Sequence, residues 1–208
     1  YKRQGLDRIY NNFVYDFLYP NPASVLAFIE NHDTDRFLGE GNNLPMLKQA
    51  STLLLTTRRI PQLYYGTEVM MNGVKSKSDG YVRKDFPGGW TGDATNALTP
   101  AGRTKIQNEC YDFYKTILNW RKGNDVIAKG SMVQFMVQNG VYAYARQYEG
   151  KTIFVMLNGT DAETTVPLKF YKEILKDSKQ GKDILSGKAI TFGEELKMGP
   201  RESLVIEL

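Results

Sequence analysis

The spacing of hydrophobic residues changes once along the chain, close to residue 123. Before that point apolar positions recur at steps of three and four residues, interrupted by short apolar runs, whereas from Val126 onward they alternate with polar positions. The first pattern is typical of helices packed on buried strands, and the second of short antiparallel strands. We therefore predict an α/β domain over 1–122 and an all-β domain, a small antiparallel β-sandwich, over 123–208.

Two short apolar runs in the α/β part predict buried strands, one at about 24–30 and one at 61–65. Between them, Asn43 is placed to cap a helix, Pro45 suits its first turn, and leucines at helical spacing extend to about Arg58. A strand, a helix and a second strand form a βαβ unit, in which the strands are parallel and end at the same edge. Further helices are predicted over 5–18 and from Thr99 to about Lys122.

Polar residues follow both predicted strands. Residues 28–36 read F-I-E-N-H-D-T-D-R and include His32, the only histidine of the chain. In parallel α/β barrels, catalytic side chains lie at the carboxyl ends of the strands. Asp33 follows the first strand and Glu68 follows the second, so we expect both carboxylates to face one shared rim. The pattern indicates one wall of an active site.

The second part of the chain contains short alternating segments separated by turn signals. Asn139 and Gly140 lie between two such segments, a pair typical of a type I′ hairpin turn. Glu149 with Gly150 marks the next turn. Strands are predicted over 133–137, 141–145, 153–157, 165–170, 189–192 and 204–208.

Composition excludes several classes of function. The net charge is +4, from 27 basic and 23 acidic residues without a basic cluster, which argues against nucleic-acid binding. Cys110 is the single cysteine, so no internal disulfide can form, and no Cys or His spacing indicates a metal site. No apolar run approaches the ~20 residues of a membrane span. The chain begins with Tyr1 and we expect it to be a piece of a longer protein, whose compartment the sequence leaves open.

The polar strand ends carry motifs of a known enzyme family. F-I-E-N-H-D-T-D-R at 28–36, followed one crossover later by T-T-R-R-I-P-Q-L-Y-Y-G-T-E at 56–68, resembles the C-terminal part of the α-amylase superfamily, glycoside hydrolase family 13. The loop R-K-D-F-P-G-G-W at 83–90 is similar to the neopullulanase and cyclomaltodextrinase branch. The resemblance implies the last two strand–helix units of a (β/α)8 TIM barrel followed by a small β domain. It also implies a retaining hydrolase of α-1,4-glucosidic bonds.

Roles for individual residues come from the same resemblance. Asp33 matches the carboxylate that helps to stabilise the transition state, and His32 matches the histidine that binds hydroxyls of the same sugar. Arg36 matches a position near the sugar on the donor side, with an ion pair to a neighbouring carboxylate as an equal alternative. Trp90 is a candidate for stacking on a glucan, with anchoring of its loop as the alternative. The substrate-binding candidates are Asn31, His32, Arg36, Glu68 and Trp90.

Two catalytic motifs of the family are missing from these residues. Family members carry a nucleophilic aspartate and a general-acid glutamate on earlier strands, and retaining hydrolysis needs two carboxylates about 5 Å apart. Neither Glu40 nor Glu68 occupies either position. We therefore expect the chain alone to be inactive and its parent enzyme to be active. The chemistry requires no cofactor, and calcium binding is left open.

A module without catalysis, binding carbohydrate or another protein, is the alternative function. The expected partner is an α-glucan oligosaccharide or polysaccharide. Two strands cannot close a barrel, so we expect open apolar surface that pairs with another segment. Arg59 stands where the family usually has glycine, and a left-handed backbone there would cost an arginine about 1 kcal/mol.

Overall fold

The computed structural model describes residues 5–208, which form six α-helices and ten β-strands. The helices are α1 (Leu6–Val14), α2 (Leu44–Thr56), α3 (Asp79–Val82), α4 (Lys105–Arg121), α5 (Asp125–Lys129) and α6 (Lys172–Leu175). The strands are β1 (Leu26–Ala27), β2 (Ile60–Pro61), β3 (Ser131–Gln134), β4 (Val141–Tyr148), β5 (Lys151–Asn158), β6 (Thr164–Pro167), β7 (Gln180–Asp183), β8 (Ala189–Thr191), β9 (Glu195–Met198) and β10 (Ser203–Glu207). No helix in this range is long and apolar enough to cross a membrane.

A βαβ unit lies in the first half of the chain, as predicted. β1 pairs with β2 in parallel, with Leu26 opposite Ile60, and α2 is the crossover between them. The strands are not buried, however, because Leu26 is 54% exposed and Ile60 is 48% exposed. The prediction of buried strands over 24–30 and 61–65 is therefore wrong. Within the described residues, β1 and β2 pair only with each other, and no further strand lies beside either of them.

Further apolar side chains before and after the two strands are exposed, as expected for strands outside a closed barrel. They are Tyr15, Phe17, Leu18, Tyr19, Phe28, Leu63 and Tyr65. Their pairing with another segment stays a prediction.

The ends of α2 agree with the sequence pattern, whereas the start of α4 does not. The side chain of Asn43 accepts a hydrogen bond from the amide of Met46 (3.1 Å), and Pro45 lies in the first turn of α2. Thr99 caps only the 3-10 turn Pro100–Gly102. α4 begins later, after Thr104, which forms a reciprocal capping box with Gln107. Arg103 between the two turns has an extended backbone, which breaks the predicted continuous helix.

One short helix interrupts the predicted change to alternating strands. Asn124 accepts a hydrogen bond from the amide of Ile127 and starts α5, so the expectation of strand periodicity from Val126 onward is wrong. An N-cap of this kind satisfies an amide that the first helical turn would otherwise leave unpaired. The strands begin with β3.

Arg59 does not have the left-handed backbone considered for it. It is absent from the described residues with positive φ, so the expected strain does not arise. Its side chain instead forms an ion pair with Asp16, which Arg58 also contacts at 2.8 Å. Asp16 is buried, at 2% exposure.

The β-sheets of the second half are antiparallel, as predicted. One sheet has the strand order β3-β4-β5-β10-β7-β8, and β6 pairs with β9 in a second, two-stranded sheet. Asn139 and Gly140 have φ values of 50° and 77°, and Glu149 and Gly150 have 47° and 77°, so both hairpin turns have the positive φ pair of type I′. Val166 of β6 packs in one core with Val141 and Phe154 of the larger sheet, which gives the two packed layers of a sandwich.

A single hydrophobic core joins the helices to the larger sheet. Leu47 and Leu55 of α2 and Ile117 of α4 pack in one cluster with Tyr142 and Val205 of β4 and β10. Burial of apolar surface in such a cluster is the main favourable term in folding. The βαβ unit is therefore held in place by the β part of the chain. The division into two domains at residue 123 stays a prediction.

Candidate functional site

The polar loop after β1 is a compact turn. The side-chain oxygen of Asn31 accepts a hydrogen bond from the amide of Asp33 (2.8 Å), and the Thr34 hydroxyl accepts one from the amide of Asn31 (3.0 Å). A short polar side chain that bonds its own backbone two residues on is typical of an Asx turn. The turn projects His32 and Asp33 into solvent, with side chains that are 61% and 62% exposed.

Two nitrogen groups contact the carboxylate of Asp33. Nε2 of His32 lies 3.2 Å from its Oδ2, and Nη2 of Arg83 lies 3.0 Å from its Oδ1. Arg83 also donates from Nε to the carbonyl of His32 (2.9 Å) and from Nη2 to Asp79 (3.1 Å). Arg83 therefore fixes both the backbone and the carboxylate of the turn.

Arg83 was not among the candidates taken from the sequence, although it opens the motif R-K-D-F-P-G-G-W. The sequence feature that could have pointed to Arg83 is its place in a long aperiodic loop after the second strand, because such loops in compact domains are often functional. The contact with Asp33 joins residues that are 50 positions apart, which no local pattern reveals.

Below the turn, Glu30 and Arg36 form a buried ion pair. Nη1 of Arg36 lies 3.4 Å from Oε1 of Glu30, with side chains that are 0% and 2% exposed. The guanidinium stacks on the ring of Tyr64 (3.9 Å) and donates to the carbonyls of Tyr65 (2.6 Å) and Val82 (3.0 Å). Arg36 is thus enclosed and forms the ion pair that was its alternative role, whereas its place near a sugar stays a prediction.

Glu30 connects the loop after β1 to the 3-10 turn after β2. Its carboxylate accepts hydrogen bonds from the amide of Phe37 and from the hydroxyl of Thr67. Thr67 begins the 3-10 turn Thr67–Val69, which follows β2. Glu30 is 2% exposed, so its carboxylate orients these neighbouring groups and does not face water.

Glu68 lies in the same 3-10 turn, which packs on α4. Burial raises the pKa of the Cys110 thiol to about 12, and the charge of Glu68 contributes to this shift. Among the interactions described for residues 5–208, none joins Glu68 to Asp33. The shared rim of these two carboxylates stays a prediction.

Trp90 is 67% exposed, and its loop is held by other groups. The carboxylate of Asp93 accepts hydrogen bonds from the amides of Gly88 (2.7 Å) and Trp90 (3.1 Å). The indole is thus largely exposed, and its stacking on a glucan stays a prediction. No group of three or more His, Cys, Asp or Glu in the described part of the chain could hold a metal ion.

Known proteins share both the sequence and the fold of this chain. It is 29% identical over 197 residues to an α-amylase of Niallia circulans, a match covering 91% of this chain and 32% of the relative. It is 30% identical over 188 residues to a cyclomaltodextrin glucanotransferase of Thermoanaerobacterium thermosulfurigenes, covering 86% and 24%. The chain thus spans about a fifth to a third of the length of the curated relatives it matches.

Two solved α-amylase structures share this fold. The Anoxybacillus α-amylase matches with a TM-score of 0.77 at 21% identity, covering 98% of this chain and 42% of the other. The Geobacillus thermoleovorans α-amylase, solved in complex with acarbose, matches with a TM-score of 0.75 at 23% identity, covering 97% and 43%. These likenesses show the fold.

In sequence the chain is similar to the C-terminal region of α-amylase superfamily proteins. Residues 132–207 match the family model described as the cyclo-malto-dextrinase C-terminal domain. The recognition made from the strand-end motifs is thereby confirmed.

Proposed function

We propose that this chain supplies the transition-state-stabilising side of the cleft in a retaining enzyme that cleaves α-1,4-glucosidic bonds. The proposal is carried by the Asp33 carboxylate, which is exposed at the carboxyl end of β1 and held there by Arg83. Relatives named α-amylase and cyclomaltodextrin glucanotransferase support this substrate class.

The chemistry of glycoside cleavage gives each side chain a task. An oxocarbenium-like transition state is stabilised by a nearby carboxylate and by hydrogen bonds to ring hydroxyls that strengthen as charge develops. Asp33 provides the carboxylate. His32 offers its imidazole to the hydroxyls of the same sugar. The side-chain oxygen of Asn31 accepts a hydrogen bond within the turn, and its side-chain nitrogen Nδ2 can donate to the ligand.

The exposed indole of Trp90 provides an apolar surface for a sugar ring. Aromatic faces bind the apolar faces of sugar rings through contact area. In the proposed enzyme Trp90 stacks on a glucose unit away from the cleaved bond. Replacement by alanine is expected to raise KM for maltooligosaccharides and to leave kcat within about twofold, since uniform binding affects KM.

The nucleophile and the general acid belong to other strands of the proposed (β/α)8 barrel. Retaining cleavage requires two carboxylates about 5 Å apart in addition to a stabilising one. The proposal assigns those two groups to a longer polypeptide, in which further strands cover the exposed apolar side chains of Leu26 and Ile60. These 208 residues alone are then expected to release no reducing sugar from starch or pullulan. Turnover above a buffer blank would contradict this.

The decisive variant is Asp33→Asn in the longer enzyme. We expect kcat to fall by at least about 10²-fold, as when one preorganised transition-state contact is removed. Asp177→Asn, which removes an exposed carboxylate in the β part, is the matched control and is expected to retain full activity. Should Asp33→Asn retain normal turnover, the alternative of a carbohydrate-binding module without catalysis would be favoured.

A further inference from the structure

A cavity of about 530 Å³ lies at the end of the parallel strand pair opposite to Asp33. Its wall includes residues that precede or begin β1 and β2, whereas the Asp33 turn follows β1. Five cationic side chains line it, namely Arg58, Arg59, Arg121, Lys129 and Arg146. The cavity is therefore a separate and strongly basic feature, distinct from the candidate glucan site.

A single buried carboxylate serves two of these cations. Oδ2 of Asp16 accepts hydrogen bonds from Nε (3.0 Å) and Nη2 (2.8 Å) of Arg58 and from Nη1 of Arg59 (3.1 Å). Because the one negative charge of Asp16 faces the positive charges of both Arg58 and Arg59, these three side chains together retain a net positive charge. The remaining Nη1 donor of Arg58 is not used by Asp16.

Arg121 and Arg146 contact main-chain carbonyls rather than carboxylates. Nη1 of Arg121 donates to the carbonyl of Leu55 at the end of α2. Arg146 donates to the carbonyls of Thr56 (3.0 Å), Ile127 (2.9 Å), Gly130 (2.8 Å) and Ser131 (3.3 Å). Within residues 5–208 neither guanidinium forms an ion pair.

The positive charges in this cavity repel one another. Burial, together with the charges of Arg121 and Arg58, lowers the pKa of the Arg146 guanidinium to about 10. Burial also lowers the pKa of Arg121. Lys129 lies at the mouth and is paired with Asp125 at 3.1 Å in an exposed contact. The two carboxylates of Asp16 and Asp125 therefore leave two of the five cations, Arg121 and Arg146, without a carboxylate contact.

We propose that this cavity binds a phosphate-class anion, held by Arg121 and Arg58 beside the buried positive charge of Arg146. A guanidinium presents a rigid fork of donors that matches phosphate oxygens, and such charge-assisted bonds are strong. The helix-end carbonyls account for the position of Arg146. Nε and Nη2 of Arg121 and Nη1 of Arg58 remain available to donate hydrogen bonds to an anion. The negative charge of the anion also reduces the repulsion between the cations.

Inorganic phosphate is the first probe, added to the full 208-residue chain and followed by isothermal titration calorimetry and thermal unfolding. Sodium chloride at matched ionic strength is the reference, because surface charges are screened by any salt. We expect saturable one-site binding of phosphate and a rise in Tm that chloride does not reproduce. Equal effects of the two salts would overturn the proposal.

Variants locate the anion in the cavity. Arg121→Gln is expected to weaken phosphate binding at least tenfold, whereas Lys115→Gln, which removes one exposed charge from the same helix α4, leaves it unchanged. Arg58→Gln gives a second test, since Arg59 still serves Asp16. Circular dichroism establishes that each variant is folded. Binding that is equal in all variants would place phosphate elsewhere and refute the assignment.

Sugar phosphates distinguish between the two candidate ligands of this site, free phosphate and a phosphorylated sugar. Glucose 6-phosphate that binds at least fivefold more tightly than phosphate, with the same dependence on Arg121, indicates a phosphorylated sugar as ligand. Equal affinity indicates free phosphate, and both results support an anion site. Glucose that competes with phosphate at this cavity contradicts it, because the proposed contacts recognise charge.

Discussion

Arg83 and Asp33 form an ion pair in which Nη2 lies 3.0 Å from Oδ1, across two loops that follow different strands. The same guanidinium holds the carbonyl of His32, so a single side chain restrains the candidate catalytic turn at two points. Restraint of this kind keeps a carboxylate in one orientation before a ligand binds.

Arg83→Gln is therefore expected to affect catalysis more than stability. In the proposed longer enzyme we expect kcat/KM for maltooligosaccharides to fall about tenfold, since small misplacements of a catalytic group are costly. The free energy of unfolding should change by less than about 1 kcal/mol, because the side chains of the pair are 40% and 62% exposed. Arg8→Gln removes an exposed arginine from α1 and serves as the control. A variant with unchanged kcat/KM would show that Arg83 does not position Asp33.

The buried pair of Arg36 and Glu30 is expected to matter mainly for stability. Arg36→Met leaves the Glu30 carboxylate buried without its cation, which costs about 3–5 kcal/mol. Lys77→Met removes the cation of the exposed pair with Glu40 and should cost less than about 1 kcal/mol. Urea unfolding of the two variants measures the difference. Similar losses would mean that burial does not decide the strength of these pairs.

Gly73 joins the loop after β2 to the loop after β1 through its backbone. Its carbonyl accepts the amide of Arg36 (2.9 Å), and a Cβ at this position would lie 2.7 Å from the carbonyl oxygen of Tyr81. Gly73→Ala is therefore expected to destabilise the protein by about 1–3 kcal/mol, the usual cost of overpacking. It should also move Arg83 away from Asp33, which a crystal structure of the variant can measure.

Gly80→Ala is the matched control for Gly73. It lies within α3, where an added Cβ would have 3.8 Å to its nearest neighbour, the hydroxyl of Ser78. Alanine in this helix is expected to stabilise the protein by up to about 1 kcal/mol. If both substitutions had the same effect, the close approach at Gly73 would not be the cause.

High pH is expected to unfold the protein through its buried phenols. Burial raises the pKa of Tyr114, Tyr142 and Tyr144 above the ordinary value of 10.0, and that of Tyr171 to about 12. Above pH 10 the unfolded chain loses these protons more readily than the folded protein, so unfolding is favoured. The stabilising effect is complete below pH 10 and is lost as the pH rises towards 12 and beyond.

Absorbance at 295 nm, together with circular dichroism, measures this effect. The chain has 13 tyrosines, and the four that are buried within residues 5–208 should ionise only as helical signal is lost. In concentrated guanidinium chloride all of them should titrate near the ordinary value. Ionisation of every tyrosine before any loss of structure would contradict the prediction.

The sequence by itself determined the features that depend on close neighbours along the chain. Asn43 and Pro45 begin α2, and the pair Asn139 and Gly140 forms a hairpin turn, because caps and turns depend on a few consecutive residues. Alternating strands, the parallel βαβ unit and the strand-end motif were likewise predictable from local spacing. The start of α4 was not, since Thr99 and Thr104 offer the same local cap signal and only the second is followed by a continuous helix.

Tertiary structure alone decided which polar side chains meet. Arg36 and Arg83 are both arginines near a carboxylate motif, yet the first is enclosed under the rim and the second lies on it beside Asp33. Asp16 meets Arg59 across 43 positions, and the backbone of Arg59 is not left-handed. Such partners are distant in the chain, and their contacts follow from the packing of whole elements, which the spacing of neighbouring residues does not encode.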